Sequence, residues 1–516
     1  MIRLRRFHDR DSAATDDMAL TQLHTRARQG IQAPRVGVEI HISNGLPAFS
    51  IVGLPEAAVR ESRDRVRSAI INSGFEFPAR RITVNLAPAD LPKEGGRYDL
   101  AIALGILEAS SQIRLGRLAG CELYGELALG GELRPVSGLI PALVACAAEG
   151  RRAVIASANA VEAGILQGLD ALQADSLAQV CASLAGGDAL LPVESTAAAE
   201  LPDYGVDLSE VLGQAQARRA LEIAAAGGHH LLMMGPPGTG KSMLAQRLNT
   251  LLPPMDEAEA LQTLSIHSIG DRSIDPRNWR LRPFRSPHHT VSGVALVGGG
   301  AQARPGEISL AHNGVLFLDE LTEFDRKTLE VLREPLETGE IHISRAARQE
   351  RYPAAFQLVA AMNPCPGGCA SIAACQCSAE QLTRYRNRLS APLLDRIDIR
   401  IELPPLERDE LMERNGPPPE DSAAVRARVS AARQRQLRRQ GCLNARLGPA
   451  EVDRHCPLDA ASRELLGNAI ERLKLSARSY HRLLKLARSI ADLAGDEAIG
   501  TAAVSEAIGY RRAALR

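Results

Sequence analysis

Net charge is the first thing this chain lacks: 61 basic residues balance 61 acidic ones across 516 positions. No global field therefore recruits nucleic acid or a membrane surface, and any polyanion site has to be a local patch. Long apolar runs are missing too. None approaches 18 residues, and no apolar core follows the charged start Met1-Ile2-Arg3-Leu4-Arg5-Arg6, which argues against a signal peptide or a membrane span. A cytoplasmic protein is the expectation. There is no internal repeat, and no cysteine spacing spread over the chain suggests a disulfide framework. Of nine cysteines, Cys121, Cys146, Cys181, Cys442 and Cys456 are scattered and read as small buried residues in a reducing compartment. What is present is 45% hydrophobic residues, enough for real cores in about three or four domains.

The most specific segment is Gly235-Pro236-Pro237-Gly238-Thr239-Gly240-Lys241-Ser242, set between the apolar stretch Leu231–Met234 and a helix-like run from Met243. Strand, glycine-rich loop and helix start form a phosphate-binding loop. Its backbone N–H groups turn inward around phosphates, the helix N-terminus adds a positive dipole end, Lys241 neutralises phosphate charge, and the Ser242 hydroxyl offers a Mg²⁺ ligand.

A second buried strand, Gly314–Leu318, ends in Asp319-Glu320. Asp319 is placed to hold Mg²⁺ through water and Glu320 to orient the attacking water, because phosphoryl transfer depends on positioning and charge stabilisation. A third strand, Ala355–Met362, ends at Asn363, whose amide reaches either the γ-phosphate or the water; by itself, Asn before Pro364 reads as a turn residue.

Residues 1–17 are charged and patternless and read as a disordered extension. From 18 to 186 the pattern is an α/β domain, with strands near 36–42, 48–52, 82–86, 123–129 and 152–156 and helices near 55–73 and 98–111. An Ala/Pro/acidic linker covers 187–204, an α/β nucleotide-binding core 205–405, and a helical domain 406–516, with helices near 420–440, 458–473, 478–494 and 501–513.

Three further features carry chemistry. Cys365, Cys369, Cys375 and Cys377 crowd into thirteen residues directly after Asn363; they either close a tetrahedral Zn²⁺ site or remain free reduced thiols, and their spacing departs from two-residue knuckles. Residues 339–356 alternate as a hairpin with Arg345, Arg348 and Arg351 near its tip, a DNA-contacting loop or a solvated one. Seven arginines and no acid lie between Arg426 and Arg446, on a lid helix or a DNA-facing surface. His288 and His289 have no metal-ligand spacing, so no metal is assigned to them.

Four longer stretches carry a family resemblance: residues 49–56 (FSIVGLPE), 282–290 (RPFRSPHHT), 304–314 (RPGEISLAHNG) and 392–398 (PLLDRID). From Met18 almost to the C-terminus the chain resembles the ComM/YifB family of magnesium-chelatase-like AAA+ ATPases. The resemblance implies a Lon-protease-like N-terminal α/β domain, an AAA+ P-loop α/β core with pore hairpin inserts, and a C-terminal helical lid. It implies a homo-hexameric ring that hydrolyses ATP with Mg²⁺ and moves single-stranded or branched DNA, alongside recombination proteins, in natural transformation. Arg396 matches the arginine finger of this clade and Arg478 the arginine of the lid; from its neighbours alone, Arg396 reads as paired with Asp395 or Asp398. A basic residue at the position of Arg345 tracks the DNA backbone in related ring helicases. In the Lon-like domain Arg97 stands where the protease has its serine and Ile140 where it has its lysine, so a Ser–Lys dyad cannot form. A chelatase-type motor acting through a partner, and a protease-related remodeller, are the alternatives.

Overall fold

The structure is a computed structural model that describes residues 19–196, 204–270, 275–300, 303–345, 348–369, 375–405, 419–473 and 476–512. The extension expected over 1–17 lies outside these residues. The chain divides into two compact units, Met1–Ala197 and Ala198–Arg516.

The first unit is built on a mixed eight-stranded sheet in the order Leu191–Pro192, Ala171–Ala174, Ala153–Ala156, Glu122–Leu123, Ala19–Arg26, Arg35–Ser43, Arg81–Ala87 and Ala48–Val52. Alternation in Arg35–Ser43 puts Val36, Val38, Ile40 and Ile42 on one buried face. The helix Asp99–Ala109 packs on this sheet so closely that a Cβ on Gly105 would fall 1.9 Å from Ile40 Cδ1; only glycine permits that approach. The single strand expected over 123–129 is instead two short pieces, Glu122–Leu123 and Glu126–Leu127. Between them Gly125 turns its carbonyl to accept the Leu100 N–H at the start of that helix, which takes the chain out of the sheet.

The second unit holds a five-stranded, all-parallel sheet in the order Phe284–Arg285, Val315–Leu318, Gln357–Met362, Leu231–Met234 and Ile399–Glu402. The three central strands are buried at every position, as expected when helices cover both faces. Parallel strands share one carboxyl edge, so the loops after Met234, Leu318 and Met362 gather there. Among the described residues five helices follow, Ser422–Gln440, Pro449–His455, Ala460–Leu473, Ala477–Ala494 and Thr501–Arg512. Val429 and Leu484 from these helices share one apolar core with Ala224 and Leu244 beside the sheet. The short helix Pro449–His455 escaped the sequence reading, since seven residues give barely two turns of period; proline at its start and the Glu451 carboxylate accepting the Gly448 N–H define it.

Most of the arginines in the stretch from Arg426 are engaged within their own unit. Arg426 donates to the Thr250 carbonyl, Arg428 pairs with Glu222 and Glu420, Arg433 donates to the Ala225 carbonyl, and Arg435 and Arg439 both bind Asp492. Placing these guanidiniums on helix-end carbonyls and carboxylates fastens the helical region to the core and leaves them few donors for phosphate.

His312, just ahead of the Val315–Leu318 strand, is buried and neutral: Nδ1 accepts the Ala355 N–H at 3.0 Å, while Nε2 donates to Gln262 Oε1 at 2.9 Å. Burial, with help from Arg446 and Arg282, pushes its pKa from 6.5 down to about 3. Below pH 6.5 the unfolded chain takes up a proton that the fold refuses, so this contribution is complete above 6.5 and is lost as pH falls towards about 3. Urea unfolding should show His312→Gln flattening the acid-side slope by up to about 1.4 kcal/mol per pH unit. An unchanged slope would place the buried titration elsewhere.

Candidate nucleotide site

Gly238 and Gly240 take left-handed φ values of 83° and 85°, which bend the loop and let the helix Lys241–Leu251 start directly behind it. The Lys241 ammonium donates to the carbonyls of Gly235 at 2.7 Å and Pro236 at 2.9 Å and to Asn363 Oδ1 at 3.2 Å. Burial lowers its pKa, while Asp319 and Glu320 pull the other way. Ser242 Oγ donates to Asp319 Oδ2 at 2.6 Å, so the two oxygens suited to Mg²⁺ already adjoin. Thr239 closes the loop by donating from Oγ1 to the Pro236 carbonyl at 2.9 Å. Lys241, Ser242, Asp319 and Asn363 come from three different loops, and the parallel sheet brings them together as two bonded pairs, Lys241 with Asn363 and Ser242 with Asp319.

Glu320 has φ of 51°, a left-handed conformation that costs a non-glycine residue energy and is held here by Asp319 Oδ1 accepting its N–H at 2.9 Å. Its carboxylate lies 3.5 Å from His289 Nδ1. The His289 ring stacks 4.1 Å from that of His288 and meets Phe324 edge-on. Sequence reasoning left His289 without a place in the site. It follows Phe284–Arg285, a strand of two residues with no period to detect, and only its pairing beside Val315–Leu316 brings the histidine to Glu320.

The second set of expected residues lies around one carboxylate. Arg396, with its side chain only 5% exposed, reaches Glu337 Oε1 at 2.5 Å and donates to the Pro392 carbonyl at 2.6 Å. The pairing with Asp395 or Asp398 expected from sequence is therefore replaced: Asp398 is taken by Arg482 at 2.6 Å and His229 at 3.4 Å. Arg478, exposed beyond the Ser476 cap of its helix, approaches the same Glu337 oxygen at 3.4 Å. Burial lowers the Arg396 pKa despite Glu337, and its Nε is buried with no partner.

The hairpin forms from Glu340–Arg345 and Arg348–Pro353, with Arg345 opposite Arg348 at the turn. Arg351 is not at the tip: it stands inside the second strand opposite His342, and its guanidinium pairs with Glu340. The period of two that reveals a hairpin does not say where it turns.

In the first unit, Arg97 is buried and its guanidinium donates to the Ser137 carbonyl at 2.8 Å. Ile140 is buried at the start of the helix Ile140–Ala148.

Among the described residues, Cys365, Cys369, Cys375 and Cys377 are the one cluster of three or more histidine, cysteine, aspartate or glutamate side chains gathered closely enough to share a cation, with ligand atoms within 4.8 Å of one another. No described helix is long and apolar enough to cross a membrane.

Comparison with known proteins agrees with this architecture. Three family profiles match: "Magnesium chelatase, subunit ChlI" over residues 207–411, "Subunit ChlI of Mg-chelatase" over 38–159, and "Magnesium chelatase, subunit ChlI C-terminal" over 419–511. The uncharacterized protein YifB of Escherichia coli is 52% identical, the alignment covering 96% of this chain and 97% of the relative. The competence protein ComM of Haemophilus influenzae is 50% identical, with 96% and 98% covered. A magnesium-chelatase 67 kDa subunit of Heliobacterium mobile is 28% identical across 31% of this chain and 28% of its own length. Similarity at this level along nearly the whole length, on a parallel sheet with a complete phosphate loop, makes the chain a member of the ComM/YifB family of magnesium-chelatase-like AAA+ proteins.

Proposed function

We propose that this protein is an ATP-hydrolysing DNA motor, assembled as a homo-hexameric ring, that promotes branch migration during natural transformation. The observation that carries the ATPase part is the meeting of Lys241, Ser242, Asp319, Glu320 and Asn363 at one edge of the parallel sheet. Lys241 rests on loop carbonyls and Asn363, a position from which phosphate oxygens can displace those neutral acceptors. Ser242 and Asp319 are the residues that would hold Mg²⁺, which supplies charge neutralisation on the phosphates when bound. Glu320 then orients a water, and Asn363 fixes the γ-phosphate side of the pocket.

Arg396 and Arg478 sit together on Glu337, so whatever face one presents to a neighbouring subunit the other shares. The orphaned Nε of Arg396 supports a resting position that a phosphate would complete. The competence part rests on the name of the Haemophilus relative, and the DNA track on the hairpin turn flanked by Arg345 and Arg348. Recombination proteins are the expected partners.

A chelatase-type motor is the second reading, favoured by the descriptions of the matching profiles. ATP turnover with and without single-stranded and forked DNA separates the two. DNA should raise the rate; a working ATPase indifferent to every DNA form would favour the chelatase reading. Loss of the Lon-type serine and lysine, with Arg97 in that space, leaves no peptidase nucleophile there.

A further inference from the structure

The four cysteines after Asn363 stand in a loop shaped around sulfur. A tetrahedral site with Zn–S bonds of about 2.3 Å needs sulfur–sulfur edges of about 3.8 Å. The four ligand atoms lie within 4.8 Å of one another, so a contraction of about 1 Å or less per edge closes the tetrahedron. Cys365 is buried, the other three are half-buried, and all four are free thiols. Backbone donors already face the sulfurs: the Cys369 N–H donates to Cys365 Sγ at 3.2 Å, and the Gly367 N–H to Cys377. At Gly367 a Cβ would lie 3.0 Å from Cys377 Sγ and 3.6 Å from Cys369 Sγ, so the turn leaves its space to the sulfurs.

The same loop touches the nucleotide site twice. Gly368, at φ of 62°, lies against the phosphate loop: a Cβ built on it would be 3.3 Å from Pro237 Cδ and Cγ. Two residues before Cys365, Asn363 accepts from Lys241, and its own carbonyl accepts the Tyr385 hydroxyl at 3.0 Å. Tyr385 belongs to the helix Ala379–Arg386, whose cap Ser378 directly follows Cys377. The cysteines therefore tie the exit of the Asn363 strand and the start of that helix to a turn resting on Pro237.

We propose that Cys365, Cys369, Cys375 and Cys377 bind one Zn²⁺ as thiolates, releasing their protons to solvent, and that occupancy of this site is thermodynamically coupled to occupancy of the adjoining nucleotide pocket. The ion serves no chemical step. It holds Asn363 and the Pro237 turn at a fixed separation, so nucleotide binds to a loop already ordered. The metal site stands on the cysteine geometry alone; the coupling rests on the nucleotide reading above.

The full-length chain, purified under reducing conditions, should carry about one Zn²⁺ per molecule. Exchanged for Co²⁺, it should show the intense visible and near-ultraviolet bands of a tetrahedral thiolate site, and Cys375→Ser/Cys377→Ser should lose them. Folded, reduced parental protein without those bands overturns the metal site, whether or not the variant folds. Chelator competition on the parental protein tests the coupling. Saturating ADP should tighten Zn²⁺ at least about fivefold, and Zn²⁺ should tighten ADP by the same factor, as linkage requires. Equal Zn²⁺ affinity with and without bound ADP overturns the coupling. Failure of ADP to bind at all sinks the nucleotide reading and the coupling together while leaving the Co²⁺ spectrum intact.

Discussion

Glu320→Gln should bind ATP about as tightly as the parent and hydrolyse it at least about 100-fold more slowly. Lys241→Ala should fail earlier, at binding. The two differ because of what each group faces. Lys241 is half-buried among carbonyls with its ammonium aimed at the centre of the phosphate loop, so its removal leaves phosphate charge uncompensated in a partly desolvated pocket. Glu320 is held at the rim by a left-handed turn, the Asp319 cap and the contact with His289, where it can act on a water without anchoring nucleotide. Equilibrium binding and single-turnover hydrolysis decide the matter. Parental turnover in Glu320→Gln would remove this carboxylate from the mechanism.

Replacing Arg345, Arg348 and Arg351 together with alanine should leave DNA-independent ATP hydrolysis close to the parent and weaken DNA binding almost equally across sequences. Every arginine–phosphate pair removed should lower the salt slope by up to about 0.7 on single strands. The three arginines should not contribute alike. Arg345 and Arg348 are paired positions at the turn, whereas Arg351 is committed to Glu340 within the strand pair, so Arg351→Ala alone should change the slope least. Titration at several salt concentrations, with branch migration on a labelled four-way substrate alongside, reads both quantities. A triple variant with the parental slope and parental branch migration would move the DNA path off this hairpin. Helix Ser422–Gln440 would be a poor substitute, because most of its arginines are already spent on backbone carbonyls and carboxylates of their own unit.

Much of the nucleotide site was legible in the sequence because its signals are local. A glycine-rich loop between an apolar strand and a helix has to expose its N–H groups, and Asp319-Glu320 at the tip of a buried strand has to face solvent at that strand's end. The alternating strand Arg35–Ser43 was readable because it repeats a short period over many residues, and the helix Asp99–Ala109, buried almost all round, because its apolar run is too long for a buried strand. Where period fails, reading failed. Phe284–Arg285, Glu122–Leu123 and Pro449–His455 are too short to show one.

Sequence by itself determined which residue types stand at each strand end and the crowding of four cysteines into thirteen residues. Tertiary structure alone decided who meets whom. Strand order set His289 beside Glu320 and Asn363 beside Lys241, and helix packing set Arg396 on Glu337 rather than on the aspartates next to it. The physical reason is that an ion pair or hydrogen bond depends on separation in space, over a few ångströms, while the neighbours that satisfy it come from segments up to 122 residues apart in the Lys241–Asn363 case.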